Sequence, residues 1–153
     1  MSPAATENTM SILHCYVIKE SIFFYPGTNT MLSFKQAEIK RIQLRSTMAN
    51  LLNFILSKSS EGVVSEDDLM SEVWEKYNLR ASSHRLWQVV RDLNYKLNEI
   101  GLDEKLFEKA SRKKYYVINQ GIILPLFYKK NASIGFHVNE ISILRQARDF
   151  HSG

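Results

Sequence analysis

A chain of 153 residues that is 44% hydrophobic and 24% charged has the balance of one ordinary globular domain able to bury a core. Its single cysteine, Cys15, excludes an internal disulfide and multi-cysteine zinc sites, and points to a reducing compartment. The formal charge of +4 is unevenly spread: residues 61–78 carry one Lys or Arg against six Asp or Glu, whereas residues 79–118 carry nine against five. An acidic block directly before a cationic one suggests two faces with different partners, or a solvated helix start.

In chain order, residues 1–11 read as a flexible leader without the basic and apolar regions of a secretory signal. HCYVIKE (14–20), SIFFY (21–25) and TMLSF (30–34) predict short antiparallel strands, with Pro26-Gly27-Thr28-Asn29 as a turn. IKRIQL (39–44) extends that pattern. Met48, Leu51, Leu52, Ile55 and Leu56 then recur at helical spacing, and the polar stretch 57–62 ends the helix. Ser65-Glu66-Asp67-Asp68 has the form of a capping box, with Val63 and Val64 just ahead of it. Leu69, Met70, Val73 and Trp74 form the buried stripe of a short second helix. Acidic residues suit the positive end of its dipole, so the acidic block reads first as helix-start chemistry.

After a connection over 77–81, Ser82 or Ser83 can cap a long third helix that closes at Gly101. Leu86, Val89, Val90, Leu93, Leu97 and Ile100 fall on one face. His84, Trp87, Gln88, Arg91, Asn94 and Tyr95 fall on or near the other, which holds few Glu–Lys pairs and several side chains able to grip a ligand. Two short β segments, 106–109 and 115–118, flank a basic tip containing Lys109, Ser111, Arg112, Lys113 and Lys114. Residues 120–153 read as a C-terminal extension: a linker, dimerisation or juxtamembrane segment. Within it, 122–128 (IILPLFY) is an extended piece broken by Pro125, too short for the roughly 20 residues of a membrane helix. Residues 139–150 predict an amphipathic helix.

Nothing points to an enzyme. The chain has no Gly-rich phosphate loop, no G-x-S-x-G and no H-E-x-x-H, and its carboxylates cluster at a helix start. No cofactor is expected, and no metal. His84 has no second ligand at useful spacing, and His14 and Cys15, adjacent in a strand, are expected to point to opposite faces.

The order sheet, helix, acidic helix, long helix, basic hairpin resembles the OmpR/PhoB-type, or ToxR/CadC-type, winged helix-turn-helix domain of bacterial transcription regulators. The resemblance covers roughly residues 15–119. It rests on VVSEDDLMSEVW for the second helix, SSHRLWQVVRDLNYKL for the third and FEKASRKKYYV for the wing, with Tyr115 where the family has the Tyr of a Gly-Tyr pair. Three positions depart from the family pattern. Asn94 replaces the arginine of its Leu-Arg-x-x-Leu, Arg112 and Lys114 replace wing glycines, and Asp92 lies near the DNA side.

The resemblance implies an α+β winged helix-turn-helix with an N-terminal antiparallel sheet, three helices and a C-terminal hairpin wing, spanning 12–119. It implies a sequence-specific regulator that lays helix 82–100 in the major groove of double-stranded DNA and wing 108–115 on the backbone or minor groove. Gln88 can then pair with adenine, and Arg91 with guanine or a phosphate. His84 and Arg85 would enter the groove near phosphates, Trp87 would pack on a sugar or thymine methyl, and Asn94 and Tyr95 would complete the face. Lys109, Ser111, Arg112, Lys113 and Lys114 would add sequence-blind, salt-dependent affinity. The family further implies binding as a homodimer or tandem pair, a contact to RNA polymerase around 77–81, and a cytoplasmic location. A membrane tie is expected only if a longer natural chain carries a transmembrane helix. With no receiver domain ahead of the sheet, phosphorelay control within the chain is not expected.

Blander readings compete. Arg91 can be a surface cation paired with Asp92 or Glu99, Trp87 can fill a gap against the wing or sheet, and the basic tip can be a solvated turn. The rival function is a winged helix used for protein contact, as an anti-regulator or adaptor, with Trp87 and Tyr95 as aromatic anchors beside Asp92.

Overall fold

The computed structural model describes residues 9–35 and 37–131. Strands β1 (Thr9–Ile18), β2 (Ile22–Tyr25), β3 (Thr30–Ser33) and β4 (Lys40–Gln43) are followed by helix α1 (Ser46–Ser57). Strand β5 (Val63–Ser65) leads into α2 (Glu66–Val73), and a 3₁₀ turn (Glu75–Tyr77) precedes α3 (Ser83–Glu99). Strands β6 (Phe107–Lys109) and β7 (Tyr115–Ile118) form the hairpin, and β8 (Ile123–Asn131) completes the described chain. One antiparallel sheet has the order β4-β3-β2-β1-β8 and a second the order β5-β7-β6.

Alternation along β1 and β2 divides the larger sheet into two apolar faces. Tyr16, Ile18, Ile22 and Phe24, with Met31 of β3, join the main core beneath the helices. Cys15, Val17 and Phe23 form a separate cluster on the opposite face, flanked by Tyr25, Leu32, Phe34 and Leu126. The helical side of the core comes from Leu51, Leu52, Ile55 and Leu56 of α1, Leu69 and Val73 of α2, and Leu86, Leu93 and Leu97 of α3, all essentially inaccessible. Trp74, just past α2, is buried with them, whereas Met70 is only partly covered. Fully burying such side chains stabilises by about 1.5–3 kcal/mol each, so the α3 stripe anchors that helix and turns its other face outward.

Both serine caps fall where the sequence places them. Ser65 Oγ accepts from the Asp68 amide at 3.0 Å, and Ser82 Oγ accepts from the Arg85 amide at 3.1 Å. Ile100 is the last capping residue of α3, and Gly101 follows at φ +121°, a conformation that L side chains rarely adopt.

The structure corrects three expectations. Thr9, Met10 and Ser11 belong to β1, not to a leader, and the expected extension contributes β8. These two strands pair from Thr9↔Asn131 to Ile18↔Ile123, so residues 12 and 119 are not the limits of the folded sheet. Among the described residues β8 is an edge strand, the place in a sheet where proline is tolerated, and Pro125 lies within it. The third correction concerns His14 and Cys15. A register shift between Leu13 and Cys15 inserts one residue into β1, which resets the alternation. The His14 ring meets Tyr25 at 5.5 Å and Tyr128 at 6.0 Å, on the same face that holds Cys15. The helix expected over 139–150 and residues 1–8 of the leader lie outside the described residues.

Strand β5 is an addition. Val63 and Val64, read from sequence only as an apolar approach to α2, pair with Val117 and Tyr116. The hairpin is thereby joined to the start of α2.

Candidate nucleic-acid interface

Helix α3 presents its outer face along one line of the helix. Trp87 is 52% exposed, so it does not fill a gap against the wing or sheet. Its ring carries His84 on one side, nearly parallel at 6.1 Å with an interplanar angle of 19°. It also carries Arg91, whose guanidinium carbon lies 4.8 Å from the ring centroid. Positions i, i+3 and i+7 share a helix face, so His84, Trp87 and Arg91 form a stacked column held by ring and cation–π contacts. Asp92 Oδ1 accepts from both Nε and Nη2 of Arg91 at 3.3 Å.

The other α3 candidates differ in their freedom. Gln88 is exposed, and among the described residues no side-chain hydrogen bond engages it. Tyr95 is 71% exposed. Asn94 is half-buried, on the flank of the face. Arg85 is exposed, but its Nη1 donates to the Arg80 carbonyl at 2.8 Å and thereby ties the α2–α3 connection to the first turn of α3. In that connection Asn78 takes a left-handed backbone (φ +58°), a conformation asparagine tolerates, and Tyr77 and Leu79 stand half-exposed.

The hairpin tip turns over residues 110–113, where the Lys113 amide donates to the Ala110 carbonyl at 3.1 Å. Arg112, third in that turn, has φ +57° and occupies a slot that favours glycine. This is one of the two positions at which the sequence departs from the wing glycines of the family it resembles, and here the left-handed backbone is held by a cationic residue. Ser111, Arg112, Lys113 and Lys114 are all exposed. Lys109 is different: its Nζ, on the last residue of β6 beside the turn, lies 2.9 Å from Glu66 Oε1. The sequence offered no signal for that pairing, because 43 positions separate the two residues.

The acidic block is helix-start chemistry in the structure. Glu66, Asp67 and Asp68 fill the first turn of α2 behind the Ser65 cap. Across the molecule, Lys19 in the β1–β2 turn donates to Asp103 at 2.6 Å and Glu104 at 2.9 Å, which holds the Asp103 carboxyl below its ordinary range. Among the described residues no cluster of three His, Cys, Asp or Glu side chains could hold a metal ion, and no helix is long and apolar enough to cross a membrane.

No family model matches the chain, and no curated protein matches its sequence. Its fold, however, is similar to a solved structure, the DNA-binding domain of E. coli CadC. The TM-score is 0.58 at 17% identity, over 76% of this chain and 100% of that one. The fold is that of a winged helix-turn-helix.

Proposed function

We propose that this chain is a sequence-specific DNA-binding transcriptional regulator, with α3 in the major groove and the hairpin tip on the phosphate backbone or in the minor groove. The observation that carries the reading is the outer face of α3. There a buried apolar stripe fixes the helix while Trp87, Gln88 and Arg91 project outward from a winged helix-turn-helix. Gln88 suits adenine, Arg91 suits guanine, and the exposed cations Arg112, Lys113 and Lys114 suit phosphate. The CadC likeness supports the same reading through the fold that the two share. Binding as a homodimer or tandem pair, in the cytoplasm, goes with this reading. So does a polymerase contact through the half-exposed Tyr77 and Leu79.

Selection from a pool of duplexes with a randomised centre tests the proposal. The full chain is expected to enrich a defined motif, and Gln88→Ala and Arg91→Ala are expected to relax different positions of it. Failure to retain any duplex contradicts the reading. In that case the exposure of Trp87 and Tyr95 favours a protein-contact module.

A further inference from the structure

Asp92 poses a problem for any helix that approaches phosphates, because a carboxylate there repels the ligand. We infer that Asp92 is a positioning residue that presents Arg91 to a guanine; the inference rests on the reading of α3 as the base-contacting helix.

Neighbouring residues on a helix do not normally face each other. For Arg91 to meet Asp92, its guanidinium must swing sideways across the helix face, and the structure shows it there, with Nε and Nη2 both 3.3 Å from Oδ1. The Trp87 ring, 4.8 Å from the guanidinium carbon, limits the swing on the other side. Trp87 is in turn stacked with His84. A long, rotamer-rich side chain thus rests between a carboxylate and an indole before any ligand arrives.

The pair has little value as a stability device. Both side chains are more than half exposed, at 57% and 55%, and surface pairs of this kind contribute next to nothing. Its consequence is directional. Asp92 takes the Nε/Nη2 edge of the guanidinium and leaves the terminal Nη1/Nη2 edge, with two parallel N–H donors. Guanine offers two acceptors, O6 and N7, that match this edge, whereas adenine opposes one of the donors with its own N6 amino group. A phosphate on the same edge would sit close to the Asp92 carboxylate and be repelled. Asp92 therefore steers Arg91 away from sequence-blind backbone contact and toward one base.

The experiment uses the duplex enriched by the wild-type chain and its single-base-pair variants, measured by competition with wild type, Asp92→Ala, Asp92→Asn and Arg91→Lys. Wild type is expected to prefer one G·C pair by about tenfold or more. Arg91→Lys keeps the charge but loses the planar two-donor edge, and weakens that preference. Asp92→Ala removes most of it at that position only, while binding to unrelated duplexes rises, and Asp92→Asn falls between. A uniform rise in affinity for every duplex with the G·C preference intact would show that Asp92 merely repels phosphate, and would overturn the inference. So would a wild-type motif without a G·C position that responds to Arg91→Lys. A wild-type chain that enriches no duplex overturns the DNA reading itself, a result separable from both.

Discussion

Lys109 Nζ sits 2.9 Å from the Glu66 carboxylate, joining the turn end of β6 to the first residue of α2. Close by, the Glu66 amide donates to the Lys114 carbonyl at 3.0 Å, so the wing is tied to that helix at two points. Glu66 is only 10% exposed and Lys109 is 53% exposed, which places the pair between a surface ion pair and a buried one. Lys109→Ala leaves a mostly buried carboxylate without its cation and is expected to cost about 1–2 kcal/mol. Urea unfolding should show the effect as a lower midpoint with an unchanged slope. The same variant should alter the salt dependence of DNA binding less than Lys113→Ala does, because Lys109 is already engaged.

Arg112 holds a left-handed backbone that glycine adopts without penalty. Arg112→Gly is therefore expected to stabilise the chain by up to about 1 kcal/mol relative to Arg112→Ala, although both remove the same charge. Thermal midpoints of the two variants make the comparison. An alanine variant as stable as the glycine one would show that the turn is unstrained.

The α3 cap makes a local prediction. Removing Ser82 Oγ leaves the Arg85 amide without its 3.1 Å acceptor, so Ser82→Ala should cost about 1 kcal/mol in urea unfolding. Ser82→Asp should retain most of the stability.

Alkaline pH tests the cluster on the far face of the larger sheet. Burial pushes the Cys15 thiol from 9.0 up to about 12. Burial, with neighbouring Cys15 adding to it, pushes Tyr25 from 10.0 up to about 12. The folded state then holds protons that the unfolded chain has released, so stability is fully present below about pH 9 and falls as pH rises toward 12. Cys15→Ala should flatten the part of the decline that starts near pH 9 and shrink, without abolishing, the tyrosine part that starts near pH 10, because burial remains the larger cause at Tyr25. Denaturant titrations across that window decide it. A decline unaffected by Cys15→Ala would contradict the assignment.

Where the sequence was legible, local chemistry was decisive. The Leu86/Leu93/Leu97 stripe, the Ser65 and Ser82 caps and the turn ahead of β3 each follow from residues within a few positions of one another. The extended piece over 122–128 was read and forms most of β8, but its polar end, its pairing with β1 and the first residues of β1 were not legible. Thr9–Ser11 and Lys129–Asn131 are mostly polar, and they become strand through backbone pairing across more than a hundred positions. The bulge at His14 was hidden for a similar reason, since it depends on a register that only the partner strand sets. At the candidate interface, residue types and spacing located the outer face of α3. They also raised the Arg91–Asp92 pair as the blander reading of Arg91, and the structure has that pair. They did not reveal that Trp87 flanks Arg91, nor that Lys109 faces Glu66, because both depend on side-chain direction.

The central claim is that the hairpin tip meets DNA phosphates while α3 reads bases. The most direct test is the salt dependence of binding to a fluorescent duplex, for wild type and for the Lys113→Ala/Lys114→Ala double variant. Removing one neutralised phosphate from the complex lowers the slope of log K against log salt by about 0.9. The double variant is therefore expected to bind more weakly, with a slope reduced by about two. Equal slopes and affinities for the two proteins, or no binding by wild type at low salt, would contradict the account.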